Sequence, residues 1–395
     1  MGRVRLSAAE VISLGCRLNI AESERIRSLL ADENVVVVNS CAVTSEAVRQ
    51  TRQAIRKARK ARPDARLLVT GCAADIERDQ LAAMPEVDGL VANETKLDAR
   101  AWNVPEPEHT VPTKRTRAFI AVQNGCDHAC TFCVIPQGRG KSRSLTISQV
   151  LREVERHLEQ NAPEVVLTGV DVTSWGHDLP DTPPLGRLVS AILKTFPELQ
   201  RLRMSSLDGI EIDEKLFELF ASESRVMPHL HLSLQHGHDL ILKRMKRRHL
   251  RADAVDIVQR LKQRRPEIAV GADLIAGFPT ESEEHHAANR SIIAELGVVH
   301  GHVFPYSPRP GTPAARMPQL DRATIKARAA DLRADVAAQR SKWLQSLVGT
   351  ELGVLTETDG TGYSPNFARV AVLQGTPEGQ IVTITPTKLE GSLLV

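Results

Sequence analysis

The chain has 395 residues, 51 Lys and Arg against 48 Asp and Glu, and six cysteines. At 42% hydrophobic and 25% charged it is neither disordered nor low in complexity, and six cysteines in this length are too few for a disulfide scaffold. No apolar run reaches the roughly 18 residues of a membrane span, and the start, Met1-Gly-Arg-Val-Arg-Leu, lacks the apolar core of a signal peptide. The expectation is a cytoplasmic protein of two or three domains whose cysteines are thiols or metal ligands.

The first segment, 1–103, alternates strands and helices. Val35–Val38 and Leu67–Thr70 are short apolar runs of the kind that sit inside a parallel sheet. Each runs into a cysteine-bearing loop, at Cys41 and Cys72, and Cys16 follows Val11–Leu14 in the same way. Loops at the carboxyl ends of parallel strands gather on one edge, where ligands bind. Three thiols distant in sequence can therefore meet there. Ordinary core cysteines are the alternative. On the helix that follows Cys41, Arg49, Arg52, Arg56 and Arg59 share one face, and Lys57, Lys60, Arg62 and Arg66 add to it. Such a patch can engage phosphate, or be a solvated helix face.

Asn103–Pro112, with three prolines and no periodicity, reads as a linker. The segment 112–346 then repeats a strand–helix unit six times, with strands starting near Arg117, Glu164, Gln200, His229, Ala269 and Val299. Intervals of this size suit βα units, and six of them make an incomplete parallel (β/α)6 barrel. Along His229–Gln235, three leucines alternate with His229, His231, Ser233 and Gln235; Leu202 and Met204 oppose Arg201, Arg203 and Ser205; Val299 and Val303 oppose His300 and His302. The apolar sets should face the covering helices. The polar sets then line the lumen, and a polar lumen implies a polar ligand. Lys243–His249 is a second basic run.

Directly after the first barrel strand stands Cys126-Asp-His-Ala-Cys130-Thr-Phe-Cys133, a C-x3-C-x2-C spacing. Three thiolates on one loop can hold three irons of a cubane cluster and leave the fourth open to a substrate. A zinc site completed by His128, or buried thiols, is the alternative; the paired second ligand set usual for zinc is absent. After a helix from Arg322 to about Leu347, the segment 347–395 reads as short strands at Leu352–Thr356, Phe367–Leu373 and Gln380–Thr385.

C-x3-C-x2-C after a first barrel strand resembles the radical S-adenosylmethionine enzymes. Leu14-Gly-Cys-Arg-Leu-Asn19, Asn39-Ser-Cys-Ala-Val-Thr44 and Val69-Thr-Gly-Cys-Ala73 resemble the three cysteine loops of its methylthiotransferase branch. Ile135–Ser144, Leu167–Gly176, Leu202–Asp208, Gly271–Pro279 and Phe304–Thr312 fit the same family along nearly the whole chain. The stretch after Cys41 is most similar to the enzymes acting on N6-threonylcarbamoyladenosine in tRNA; the branches for isopentenyladenosine and for a ribosomal-protein aspartate usually carry other residues there. The interval from Cys16 to Cys41 is shorter than usual, and His285-His286 replace a helix-packing aromatic.

The resemblance implies two 4Fe-4S clusters. One would be held by Cys126, Cys130 and Cys133 and cleave S-adenosylmethionine to a 5′-deoxyadenosyl radical; the other, held by Cys16, Cys41 and Cys72, would take part in sulfur delivery. It places Phe132 near the adenine, and motif and lumen position nominate Gly169, Ser233, Gln235 and Gly271 for cofactor contacts. The implied partners are the anticodon stem-loop of tRNA and a reductant such as flavodoxin or ferredoxin, with a monomeric enzyme and no membrane. The last segment resembles a small all-β RNA-binding barrel (TRAM), through Gly362-Tyr-Ser-Pro-Asn-Phe367; a structural cap is the alternative. A non-catalytic RNA-binding metalloprotein is the rival from another class.

Overall fold

The computed structural model describes residues 9–106 and 116–395. The proline-rich stretch Asn103–Pro112 therefore falls outside the described residues from 107 on, as does the start of the chain to residue 8. The described residues form two compact units. One comprises those within Met1–Lys114, with Asn124–Arg143 and Ser307–Thr312; the other, those within Arg115–Gln123, with Ser144–Tyr306 and Pro313–Val395.

In the first unit, Glu10–Ser13, Val35–Ser40, Arg66–Gly71 and Gly89–Leu90 form a parallel sheet in that order. Every residue of Val35–Ser40 is buried, as expected of a β-branched run in a strand covered on both faces. Val36, Val38, Leu67 and Val69 pack on one side with Val48, Ile55 and Leu81. Val35, Val37 and Leu68 pack on the other with Ile26, Leu29 and Trp102. The helix Ser45–Ala61 starts at Thr44, whose hydroxyl accepts from the Ala47 N–H at 3.1 Å. Its buried residues Val48, Thr51, Ile55 and Ala58 follow helical spacing.

In the second unit six strands make the incomplete parallel barrel. Arg117–Ala121, Glu164–Thr168 and Arg201–Met204 form one hydrogen-bonded group; His229–Gln235, Ala269–Ala276 and Val298–Pro305 form the other. Between the groups, isolated parallel bridges join Leu202 to Val226, just before the fourth strand, and Leu207, just after the third, to Leu232. The outward set holds as the alternation requires: Leu202, Met204, Leu230, Leu232 and Leu234 join one large core with the helices. The last strand departs from it. The register steps from Val270–Val298 to Gly271–His300, skipping Val299. A bulge therefore puts Val298, with Val303, on the core in place of Val299.

The helix Arg322–Ser346, capped by Asp321 on the Thr324 N–H at 2.9 Å, leads into an all-β sheet. Its strand order is Ile381–Ile384, Leu352–Thr356, Thr361–Tyr363, Arg369–Ala371, Leu393–Leu394, Leu389–Glu390. Thr361–Tyr363 and the two final strands add to the expected three. Phe367 does not begin a strand; it occupies a left-handed turn with φ 70° and the strand starts at Arg369.

Candidate active site

All six cysteines belong to the first unit, and no disulfide joins them. Cys16, Cys41 and Cys72 sit just beyond the carboxyl ends of three adjacent parallel strands. Cys16 is exposed, Cys41 half-buried and Cys72 buried. Their approach depends on Gly15, at φ 96°, where a Cβ would stand 2.7 Å from Cys41 Cβ and 2.9 Å from its Sγ. Burial pushes the Cys41 thiol up to about 11, with Cys72 and Cys16 adding to the rise, and raises that of Cys72, with Cys16 adding to it; Arg139 opposes both.

Cys126, Cys130 and Cys133 lie on one half-buried loop. Its ends are pinned: the Cys126 N–H donates to the Gly140 carbonyl at 3.1 Å, and the Cys133 N–H to the Cys130 carbonyl at 3.2 Å. Backbone N–H groups of His128 and Ile135 donate to the sulfurs of Cys126 and Cys133, each at 3.4 Å. Sulfurs that accept backbone hydrogen bonds suit thiolate ligands of an iron–sulfur cluster. The short helix Ile135–Arg139 then carries the chain onto Cys72. A Cβ on Gly138 would stand 3.3 Å from Cys72 Cα and Cβ, and the Asn93 side chain donates to the Gly138 carbonyl. The unit thus brings the helix that follows the second trio against a cysteine of the first.

Behind Cys72 lies a buried polar network that no local pattern in the sequence announces. Arg139 grips Glu22 with both arms of its guanidinium, at 2.8 and 3.1 Å, and donates to Asn124 Oδ1 at 2.8 Å and to Asn19. Lys96 donates to Glu22 and, at 3.1 Å, to Asn39 Oδ1. Burial works against the ionised Glu22, but Lys96 and Arg139 outweigh it and hold the carboxyl below its usual range. Asn19 and Arg139 stand inside the motifs Leu14–Asn19 and Ile135–Ser144; Glu22 and Lys96 carry no signal in the sequence beyond their charge.

The basic face of Ser45–Ala61 is largely committed to protein acids. Arg49 pairs with Glu46 at 2.6 Å, Arg52 with Glu77 at 3.1 Å, Arg56 with Glu86 at 3.9 Å and Arg59 with Asp88. In the second basic run Arg247 pairs with Asp208 at 2.7 Å, Arg248 with Glu211 and Arg244 with Thr280 at 2.8 Å. Lys57, Lys60 and Arg66 in the first run, and Lys243 and Lys246 in the second, stand exposed.

In the second unit the polar faces do line the barrel interior, in layers. At the strand-start end, Arg203 pairs with Glu164 at 2.8 and 3.2 Å, and both are buried. Arg201 donates to the carbonyls of Gly353 at 2.8 Å and Tyr363 at 3.1 Å, and Arg203 to that of Pro365 at 3.1 Å. Phe367 stacks on His229 and Tyr363, with centroids 5.2 and 4.6 Å apart, and lies under Arg203 at 4.7 Å. The turn Tyr363–Phe367 therefore caps the barrel, and the arginines of this layer seat the C-terminal sheet.

The middle layer is His231, Asp273 and His302. Both imidazoles meet Asp273 Oδ1, at 3.2 and 3.0 Å. Gly271, nominated for a cofactor contact, has a local reason for lacking a side chain: a Cβ would stand 2.2 Å from His231 Nδ1. Gly169 likewise packs on Gln123, whose carbonyl a Cβ would meet at 2.8 Å. Ser233 donates its N–H to the Leu207 carbonyl at 2.8 Å. Gln235 takes φ 67° at a break in register, a strained posture common at ligand-facing strand ends. These four lie in the second unit and Phe132 in the first. His286, with its imidazole 3.1 Å from Asp331, packs helices, and His285 caps its own helix by accepting from the Ser282 N–H.

Residues 120–290 match the radical SAM superfamily, and residues 8–92 match an uncharacterized protein family, UPF0004. The chain is 45% identical over 391 residues to threonylcarbamoyladenosine tRNA methylthiotransferase MtaB of Rickettsia prowazekii, spanning 94% of this chain and 93% of that protein. It is 31% identical to MtaB of Bacillus subtilis, over 94% and 92% of the two chains. It is 32% identical to tRNA-2-methylthio-N(6)-dimethylallyladenosine synthase of Cereibacter sphaeroides, over 88% and 86%. Among solved structures it shares a fold with the radical S-adenosylmethionine methyltransferase TsrM of Kitasatospora setae, at TM-score 0.52 and 17% identity, over 71% of this chain and 66% of that one. Barrel, loop cysteines and full-length similarity agree: the chain belongs to the radical S-adenosylmethionine methylthiotransferase family.

Proposed function

We propose that this chain is a tRNA methylthiotransferase that adds a methylthio group to C2 of N6-threonylcarbamoyladenosine beside the anticodon. The observation that carries the reading is the 45% identity, end to end, to a threonylcarbamoyladenosine enzyme. The confinement of both cysteine trios to one compact unit supports it.

In this reading Cys126, Cys130 and Cys133 hold one 4Fe-4S cluster and Cys16, Cys41 and Cys72 the other. Bound there with S-adenosylmethionine, the clusters supply one-electron cleavage of the sulfonium, a carbon-centred radical and a carrier for sulfur. The protein's part is to present three thiolates per cluster and leave one iron of each open. It also fixes the loop sulfurs with backbone N–H donors and keeps the reacting carbon away from water inside the barrel. Phe132, Gly169, Ser233, Gln235 and Gly271 are assigned to S-adenosylmethionine contacts. Residues 1–103, 112–346 and 347–395 are assigned to sulfur delivery, radical chemistry and RNA attachment. The setting is a cytoplasmic monomer served by a flavodoxin- or ferredoxin-like reductant.

The test is mass analysis of tRNA nucleosides from a strain lacking the gene. The 2-methylthio form of N6-threonylcarbamoyladenosine should vanish and return on complementation. Loss of the methylthiolated isopentenyl nucleoside instead would assign the other tRNA branch; retention of both would remove the tRNA reading.

A further inference from the structure

Glu22, Lys96 and Arg139 are 1%, 0% and 5% exposed, a carboxylate and two cations in the interior of the first unit. Burying three ionised groups is a costly way to hold a fold, since apolar side chains of the same volume do it as well. Their placement gives them another use. Arg139 donates to Asn19 Oδ1, which lies 3.7 Å from Cys16 Sγ, and it directly follows Gly138, where a Cβ would stand 3.3 Å from Cys72 Cβ. Arg139 is held there from several sides: it ends the short helix whose Gly138 packs on Cys72, and its fork is filled by Glu22, Asn19 and Asn124. Lys96 arrives from 74 positions beyond Glu22 and is held by Glu22 and Asn39. Both cations pair with Glu22, so the group carries one positive charge in excess next to the Gly138 that packs on Cys72.

We propose that Lys96 and Arg139, aimed by Glu22, are a built-in counter-charge for the cluster held by Cys16, Cys41 and Cys72, and that they raise its reduction potential. The inference rests on that trio holding a cluster. Three thiolates and a four-iron core carry net negative charge, which grows on reduction. A fixed cation in a low-dielectric site favours the more negative, reduced form, and the effect is stronger there than in water. The potential should therefore follow the local charge in both directions. These are positioning residues for electrons; none need touch substrate.

The experiment is a potentiometric titration followed by electron paramagnetic resonance on the reconstituted full-length protein. A Cys126→Ala/Cys130→Ala/Cys133→Ala background isolates the cluster in question. Lys96→Met and Arg139→Gln should each lower the midpoint so that the reduced-to-oxidised ratio at fixed potential falls about tenfold, 59 mV for one electron. Glu22→Gln should raise the ratio by a similar factor. Glu22→Gln/Lys96→Met restores the net charge and should return close to the parent, as should Arg139→Lys. If Arg139→Gln does not fold, Lys96→Met, Glu22→Gln and their double variant carry the test. Full iron with unchanged midpoints, or midpoints that all move the same way, overturns the counter-charge and leaves the cluster reading intact. Absence of iron from the trio in the parent protein overturns the cluster reading itself.

Discussion

The two units each bury two cations around one carboxylate, and they finish the job differently. In the barrel, Arg201 and Arg203 direct their remaining donors to the carbonyls of Gly353, Tyr363 and Pro365, and Phe367 covers Arg203. The donors of that arginine pair are thus met by protein carbonyls and by Glu164. In the first unit, Lys96 and Arg139 are also seated on amides, but they adjoin two of the cysteines: Gly138, next to Arg139, packs on Cys72, and Asn19, which accepts from Arg139, lies 3.7 Å from Cys16 Sγ. Buried polarity therefore signals a ligand only where the chain's own groups do not close it. The polar face of Arg201–Met204, which alternation alone marks as ligand-facing, is a seat for the C-terminal sheet.

Substitutions separate the two cases, beginning with the largest effect. Replacing Cys126, Cys130 and Cys133 by alanine should abolish both S-adenosylmethionine cleavage and the methylthio product. Replacing Cys16, Cys41 and Cys72 should abolish the product while reductive release of 5′-deoxyadenosine, measured by chromatography, persists. Equal loss of both activities in the second set would merge the two sites into one.

Glu164→Gln tests the protein-closed interior. It leaves Arg203 buried without its carboxylate and should cost about 3–5 kcal/mol in chemical denaturation. Burial opposes the ionised Glu164, yet Arg203, Arg117 and Arg201 hold its carboxyl below the usual range. Its contribution is thus present above the unfolded-state pKa of about 4.3 and lost as pH falls through the lower folded value. The variant should lose stability less steeply than the parent below about pH 5. An unchanged acid limb would show the pair to be neutral in the fold.

Gly15→Ala places a Cβ against Cys41 on a left-handed backbone. It should cost about 1–2 kcal/mol and deplete iron from the strand-end trio while the loop trio keeps its own. Phe367→Ala should cost about 2 kcal/mol, since the ring packs on His229 and Tyr363 at the barrel mouth. Its tRNA affinity should stay within about twofold; a larger fall with unchanged stability would restore an RNA-facing role for that motif. The smallest effects belong to the basic helix. Arg49→Ala should leave tRNA binding unchanged, because Glu46 already holds that guanidinium. Lys57→Ala/Lys60→Ala should flatten the salt dependence of tRNA binding, by about 0.9 in log–log slope for each phosphate these lysines neutralise.

Much of this is legible in one dimension, for a physical reason. Local signals survive there: C-x3-C-x2-C is one loop, Val35–Val38 is one buried strand, and the alternation of His229–Gln235 is one pleat. Six barrel strands lie within a residue of where periodicity puts them. What stays hidden depends on partners far along the chain. Arg139 and Glu22 are 117 positions apart, and nothing near either announces the other. The arginines of Ser45–Ala61 look available in the sequence because Glu77, Glu86 and Asp88 come from later segments. The bulge at Val299 shifts one strand's faces by a residue, which alternation alone does not show.

Two separate clusters held by two separate trios are the central claim, and iron and sulfide counting on anaerobically reconstituted protein addresses it directly. The parent should hold about eight irons and eight sulfides per chain, and each triple-alanine variant about four. Four irons in the parent, or loss of all iron from either variant, would contradict it.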